Sequence, residues 1–205
     1  MRLPADIWDH RYSKGERDNY EPWLERWRDV LVGHGKRALE LGCGVGYDTE
    51  VLLKWGFDVT ALDVSQVAVE YSKRRNPDAV HQVMDLRNIE VLAGSFDVVV
   101  AGLSLHYFRR KETLVVFRHV HRLLNPDGIL AFRVNAFDDV ADGAAAEAGS
   151  WKRVSVDGVK KQFFTTEKID SVMQGNWRIL SQEKLVTHRY GHRKSIFEVI
   201  AQAQK

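Results

Sequence analysis

The segment Leu39-Glu-Leu-Gly-Cys-Gly-Val-Gly46 is the part of this chain best suited to grip a ligand. Three glycines stand at alternate positions after an apolar run. Backbone without Cβ atoms turns sharply and lets a ligand approach closely. A dinucleotide pyrophosphate needs glycine at the first, third and sixth positions so that it can rest on the next helix N-terminus. Counted from Gly42, the third glycine comes one place early, at Gly46, and Tyr47 takes the sixth position. The acidic Glu40 precedes the set. Cys43, the one cysteine, reads as a small residue tolerated in a tight loop. It allows no intramolecular disulfide and no cysteine-based metal cluster, and no metal site is expected.

The elements that position this loop follow from periodicity. Arg37 to Leu41 reads as a first strand, Tyr47 to Trp55 as a helix closed by Gly56, and Asp58 to Leu62 as a second strand. Ser65 is placed to cap a helix reaching about Arg75, which Pro77 bars from continuing. Val80 to Met84 is a third strand. Phe96 to Ala101 is a fourth, apolar except at Asp97, as suits the centre of a parallel sheet. Apolar residues at helical spacing run through Leu114, Phe117, Val120, Leu123 and Leu124. The turn Asn125-Pro-Asp-Gly128 precedes a fifth strand, Ile129 to Val134. Strands separated by such helices imply a parallel sheet with right-handed crossovers, an α/β fold. Val154 to Phe164 reads as a hairpin, Thr165 or Thr166 caps a helix to Gln174, and Trp177 to Leu185 and Lys194 to Ala201 close the sheet. Asp138 to Ser150, rich in Ala, Gly and Asp, reads as a surface loop.

Glu40-Leu-Gly-Cys-Gly-Val-Gly46 resembles the acidic-x-Gly-x-Gly-x-Gly signature of class I S-adenosylmethionine-dependent methyltransferases, and further motifs recur in order. Asp63 ends the second strand, where a carboxylate can accept both ribose hydroxyl protons of a nucleoside. Asp85 resembles the family acid that receives the adenine amino group. Phe96 to Ala101 resembles the family's fourth motif, and Leu123 to Leu130 resembles the turn before its fifth strand. The resemblance spans roughly residues 35 to 135. It implies a Rossmann-like sheet of seven mostly parallel strands, order 3-2-1-4-5-7-6 with the last antiparallel, and helices on both faces. It also implies S-adenosylmethionine as cofactor and S-adenosylhomocysteine as product. Glu40, Gly42, Cys43, Gly44, Gly46, Asp63, Val64, Asp85, Leu86 and Leu103 would bind the cofactor.

Methyl transfer from a sulfonium needs an aligned nucleophile and a dry site, and a base only if the nucleophile arrives protonated. The acceptor crevice should lie beyond the carboxyl ends of the strands. That points to His106 as a general base and Tyr107 as a lining residue, and to Arg133 and Asn135 on the fifth strand. A buried arginine normally needs an anionic partner, so Arg133 meets either a structural carboxylate or a substrate anion. Trp8, Tyr12 and Tyr20 lie in an N-terminal segment that resembles the lid helices of thiopurine and tellurite-resistance methyltransferases. Its aromatics either face the methylsulfonium or pack on the sheet. His188 and His192 fall in a basic loop.

Bulk properties bound the function. Hydrophobic residues make up 44% of 205, charged residues 28%, and net charge is +2. This is a globular balance, with no charge argument for nucleic acid or a membrane. The chain reads as one domain: a lid over 1–34, a cofactor core over 35–135, and a loop, hairpin and closing strands over 136–205. A cytoplasmic monomer or homodimer acting on a small molecule is expected. RNA or protein methylation, or non-catalytic binding of the cofactor, are the competing readings. Asp63→Ala is expected to weaken S-adenosylmethionine binding at least about tenfold in calorimetry; unchanged affinity would remove the ribose assignment.

Overall fold

The structure, a computed structural model, describes residues 4–15, 20–139, 150–156, 158–188 and 193–205. A short helix α1 (Pro4–Tyr12) comes first. A 3-10 turn over Trp23–Trp27 then leads into α2 (Arg28–Val32). The alternation that follows is β1 (Arg37–Leu41), α3 (Tyr47–Lys54), β2 (Asp58–Asp63), α4 (Gln66–Arg75), β3 (Val80–Val83), β4 (Phe96–Gly102), α5 (Arg110–Leu123) and β5 (Leu124–Asn135). A separate hairpin, β6 (Val154–Val156) and β7 (Val159–Lys161), precedes α6 (Thr166–Val172). Two long strands, β8 (Trp177–Thr187) and β9 (Lys194–Ala203), complete the order.

Seven strands form the main sheet in the order β3-β2-β1-β4-β5-β9-β8. Counted within that sheet alone, this is 3-2-1-4-5-7-6, as the sequence implied. The β1–β2, β1–β4, β2–β3 and β4–β5 pairs are parallel. β9 runs antiparallel to both neighbours and lies between β5 and β8. That inner place explains its nearly continuous burial, against the half-exposed pattern of the edge strand β8.

Strand alternation divides the core in two. Val98 and Val100 of β4, with Ile129 and Ala131 of β5, face Trp23, Leu31 and Leu52. Val99 and Ala101, with Leu130 and Phe132, face Phe117, Val120 and Leu123 of α5. Phe117 meets Phe132 edge to face, centroids 5.3 Å apart. The one acid in β4 is explained by its end position. Asp97 accepts the backbone N–H groups of Lys36 and Arg37, each at 2.9 Å, and the Asn125 amide at 2.7 Å. It thus ties the entries of β1, β4 and β5 together.

Boundaries differ from expectation where a long-range partner extends a pattern. β5 begins at Leu124 rather than Ile129, with Asp127 at φ +61° inside the turn. β8 and β9 each run two residues further because they pair along their whole length. The helix capped by Thr165 stops at Val172, and the Trp23–Trp27 stretch is a 3-10 turn. Of the expected surface loop, residues 140–149 lie outside the described residues, as does His192; His188 is exposed. Among the described residues, no helix is long and apolar enough to cross a membrane. Phe117→Ala is expected to cost about 3–5 kcal/mol, because a fully buried ring leaves a cavity between α5 and β5; urea unfolding checks it.

Candidate functional site

The carboxyl ends of β1, β2, β4 and β5, together with the turn after β3, open onto a cavity of about 610 Å³. The loop after β1 is fixed from beneath. The N–H groups of Gly42 and Cys43 both donate to the Leu62 carbonyl, at 2.7 and 2.8 Å. Gly44 N–H then donates to Asp63 Oδ2 at 2.9 Å, while Ser65 N–H donates to Asp63 Oδ1, also at 2.9 Å. Gly44 faces the cavity at φ +55°, and a Cβ there would stand 2.9 Å from the Tyr12 hydroxyl. Gly46 serves another purpose. Its Cβ would fall 2.4 Å from Ser72 Oγ and 2.5 Å from Asn76 Nδ2, and it does not line the cavity. It lets α3 start against α4, so the cofactor contact expected of Gly46 is corrected to a packing role.

Asp63 is 7% exposed. Burial raises its pKa, although the N–H groups of Ser65 and Gly44 pull the other way. A carboxylate has about four lone-pair sites, so the two N–H bonds leave capacity for hydroxyl donors from the cavity. Glu40 is buried and accepts the Thr49 hydroxyl. Burial and the neighbouring Asp48 push its pKa well above the ordinary 4.5. Asp48 accepts the Trp23 indole N–H at 3.0–3.1 Å. Tyr20 stacks on Tyr47 with centroids 5.0 Å apart, and burial beside Asp48 raises its phenol pKa.

Asp85 caps the turn after β3 through Arg87 N–H at 2.9 Å and also pairs with the Arg87 guanidinium. Burial alone would raise the Asp85 carboxyl, but the Arg87 hydrogen bonds outweigh it and hold the pKa below the usual value. Val64, Leu86 and Leu103 line the same wall. Leu103 takes φ +64°, a left-handed conformation that costs a non-glycine residue and often marks a functional turn. Cys43 lines the wall as a thiol whose pKa burial drives well upward, so it is a poor nucleophile.

Helix α1 spans the opening. Asp9 Oδ1 accepts Ser65 Oγ at 2.5 Å and Val67 N–H at 3.2 Å, at the start of α4. On the other side Trp8 meets Tyr107 edge to face at 5.1 Å. Trp8, Tyr12 and Tyr20 all face the cavity, as do Asn135, His106 and Tyr107. His106 is 1% exposed, and its Nδ1 has no hydrogen-bond partner among the described residues. Burial, with Lys161 and Lys194 nearby, holds its pKa well below the ordinary 6.5, which keeps the imidazole neutral and lowers its basicity.

Arg133 does not reach the cavity. It is 2% exposed and meets Glu21 at 3.0 Å and Glu198 at 3.3 Å, with its guanidinium over the Trp23 ring. Its anionic partners are structural carboxylates, and the substrate contact expected of it is corrected accordingly. The sequence reading missed Asp48, Arg153, Lys161 and Lys194, which also line the cavity. One signal was present for Lys161. It shares the buried face of β7 with Val159, and a lysine on an apolar strand face asks for a reason.

Comparison with known proteins shows what the chain resembles. Residues 39–132 match the family described as a methyltransferase domain. The YqeM protein of Bacillus subtilis (strain 168), named as a methyltransferase, is 29% identical over 143 residues, covering 67% of this chain and 56% of its own length. A malonyl-[acyl-carrier protein] O-methyltransferase of Enterobacter lignolyticus (strain SCF1) is 27% identical over 139 residues, covering 68% of this chain and 53% of its own. The chain thus spans little more than half the length of these relatives. A solved S-adenosylmethionine-dependent methyltransferase from Clostridium acetobutylicum superposes with a TM-score of 0.69 at 16% identity, over 98% of this chain and 99% of that one.

Glu40 yields a pH prediction. Its folded pKa is raised, so its contribution to stability is complete below 4.5 and is lost as pH rises toward the raised value. Glu40→Gln cannot ionise. In urea unfolding without ligand, the variant is expected to lose less stability than the parent between about pH 5 and about pH 8; parallel curves would refute the assignment.

Proposed function

The chain carries a class I S-adenosylmethionine-dependent methyltransferase domain, and we propose that it transfers the methyl group to a small-molecule acceptor held between α1 and the ends of β4 and β5. The observation that carries this reading is the continuity of the cavity. One set of walls reaches from Asp63 and the glycine loop to His106 and Asn135 without a partition. The donors and acceptors present fit the cofactor. Asp63 has lone pairs to spare for two sugar hydroxyls, Asp85 and Leu86 border the place for a base, and Gly44 leaves room that a Cβ would fill. When bound, S-adenosylmethionine supplies a methyl group on a positively charged sulfur that is already a good leaving group.

The remaining work belongs to the protein. Positioning comes from walls built on strand ends, which move less than loops. Glu40, Gly42 and Cys43 form the floor beneath the amino-acid end, with Val64 and Leu103 beside it. Water is kept out by α1, latched through Asp9 on one side and Trp8 on the other. Trp8, Tyr12 and Tyr20 present aromatic faces suited to a methylsulfonium or to the acceptor. His106, neutral and buried, takes the proton of an acceptor that arrives protonated, and Tyr107 packs its ring 4.3 Å away. In this reading residues 1–34 serve as the lid, 35–135 as the cofactor core and 136–205 as the acceptor side.

Incubation with methyl-labelled S-adenosylmethionine and a metabolite extract, followed by mass spectrometry, is expected to yield a labelled small molecule. Cofactor binding without any labelled product would sink the reading. With that acceptor in hand, His106→Gln is expected to lower kcat about a hundredfold and leave cofactor affinity unchanged. An unaltered kcat would remove His106 from the chemistry.

A further inference from the structure

Acids along the cofactor half follow the order of the strands. Asp85 caps the turn after β3, Asp63 ends β2, and Glu40 lies in β1. Asp48 lines the same cavity but comes from the first turn of α3. Its carboxylate reaches across to the end of β4, where a Cβ on Gly102 would stand 2.7 Å from Asp48 Oδ2. β2 and β4 flank β1 on opposite sides. Asp63 and Asp48 therefore stand to either side of the glycine loop.

The fold holds Asp48 in that place. The Trp23 indole N–H donates to both carboxylate oxygens, at 3.1 and 3.0 Å, and Trp23 is itself buried. Gly102 has no left-handed φ, so its missing side chain answers to space rather than to backbone conformation. A larger residue there would push the Asp48 carboxylate off the end of β4. Glu40 plays a different part. It is buried, accepts the Thr49 hydroxyl, and has its pKa raised by burial and by Asp48. A carboxyl that keeps its proton is a poor partner for a cation.

The covalent order of the cofactor supplies a ligand for Asp48. Its base is joined to a sugar, the sugar to sulfur, and the sulfur to a chain that ends in an ammonium and a carboxylate. With the base at Asp85 and the sugar at Asp63, each group advances one strand along β3, β2 and β1. The amino-acid end then comes to β4, where Asp48 stands. An ammonium brings three donors and a positive charge to a fixed carboxylate, whereas a second carboxylate would be repelled. Resting on the cofactor placement in the reading above, we infer that Asp48 takes the ammonium group of the cofactor, with Trp23 and Gly102 as positioning residues. The carboxylate of the cofactor turns away from Asp48. Holding the sugar at Asp63 and the ammonium at Asp48 fixes the sulfur between them, which is what alignment of the methyl group requires.

The experiment uses the full chain and needs no turnover. S-adenosylhomocysteine, its deaminated analogue, and methylthioadenosine, which lacks the whole amino-acid end, are titrated in calorimetry. The parent protein is expected to bind S-adenosylhomocysteine about tenfold more tightly than the deaminated analogue. Asp48→Asn is expected to erase most of that gap without weakening the deaminated analogue or methylthioadenosine. Should Asp48→Asn fail to fold, Gly102→Ala displaces the carboxylate, keeps its charge, and is expected to narrow the gap in the same way. Equal affinity for the first two ligands in the parent, a gap unchanged in the variant, or equal weakening of all three ligands would overturn the inference. The two readings fail separately. Binding of S-adenosylhomocysteine that ignores the amino group overturns the ammonium site and leaves methyl transfer standing. A full preference for the amino group with no labelled small molecule overturns the transfer reading and leaves the ammonium site standing.

Discussion

The site depends on one carboxylate. Asp63 takes the Gly44 N–H on one oxygen and the Ser65 N–H on the other, so the loop after β1 and the turn after β2 share a single anchor. Those two loops come from adjacent parallel strands whose register already brings Leu41 opposite Leu62. The sheet fixes the strand ends, and Asp63 fixes what leaves them. A buried carboxyl without a cation beside it is expensive, and its raised pKa registers that cost. It is held by the backbone N–H groups around it, and it lines the cavity.

The N-terminal helix depends on the same corner. Asp9 binds Ser65 Oγ and Val67 N–H, one residue pair beyond the Asp63 turn. Ser65 is thus used three times. Its N–H goes to Asp63, its hydroxyl donates to Asp9, and its oxygen accepts the Ala68 N–H as the cap of α4. A change in the Asp63 turn would move the cap, the latch and the glycine loop together. The far edge of the lid region is held by other forces. Glu21 receives Arg133 and Thr187, and Arg26 and Trp27 reach Glu198. This network joins residues 21–27 to β5, β8 and β9.

What could be read from the sequence was local. Glycine spacing, the Ser65 and Thr165 caps, and the apolar run of β4 each act within a few residues, and the structure places them as expected. The parallel order of the first five strands followed from helices of sufficient length between them. Signals that failed needed partners far along the chain. For Arg133 the sequence left a structural carboxylate and a substrate anion both open, because Glu21 and Glu198 lie 112 and 65 positions away. Gly46 looked like part of the ligand cradle because the crowding by Ser72 and Asn76 comes from another helix. The part of the lining that comes after β5 was least legible of all. Its residues come from a three-residue strand, a loop and the start of β9, none of which carries a repeating pattern.

The charged residues of the cavity follow from where each wall comes from. The cofactor half is made by parallel strand ends and tight loops rich in backbone N–H groups, which carry partial positive charge and favour acids such as Asp63 and Asp85. Another part of the lining comes from β7, the Arg153 loop and the entry to β9, where antiparallel pairing satisfies the backbone of the strands. Lys161 and Lys194 stand on those strands. Their effect reaches His106, which burial and two nearby ammonium groups keep neutral. Burial and the two ammonium groups both disfavour the imidazolium, so the imidazole stays unprotonated while its basicity is lowered.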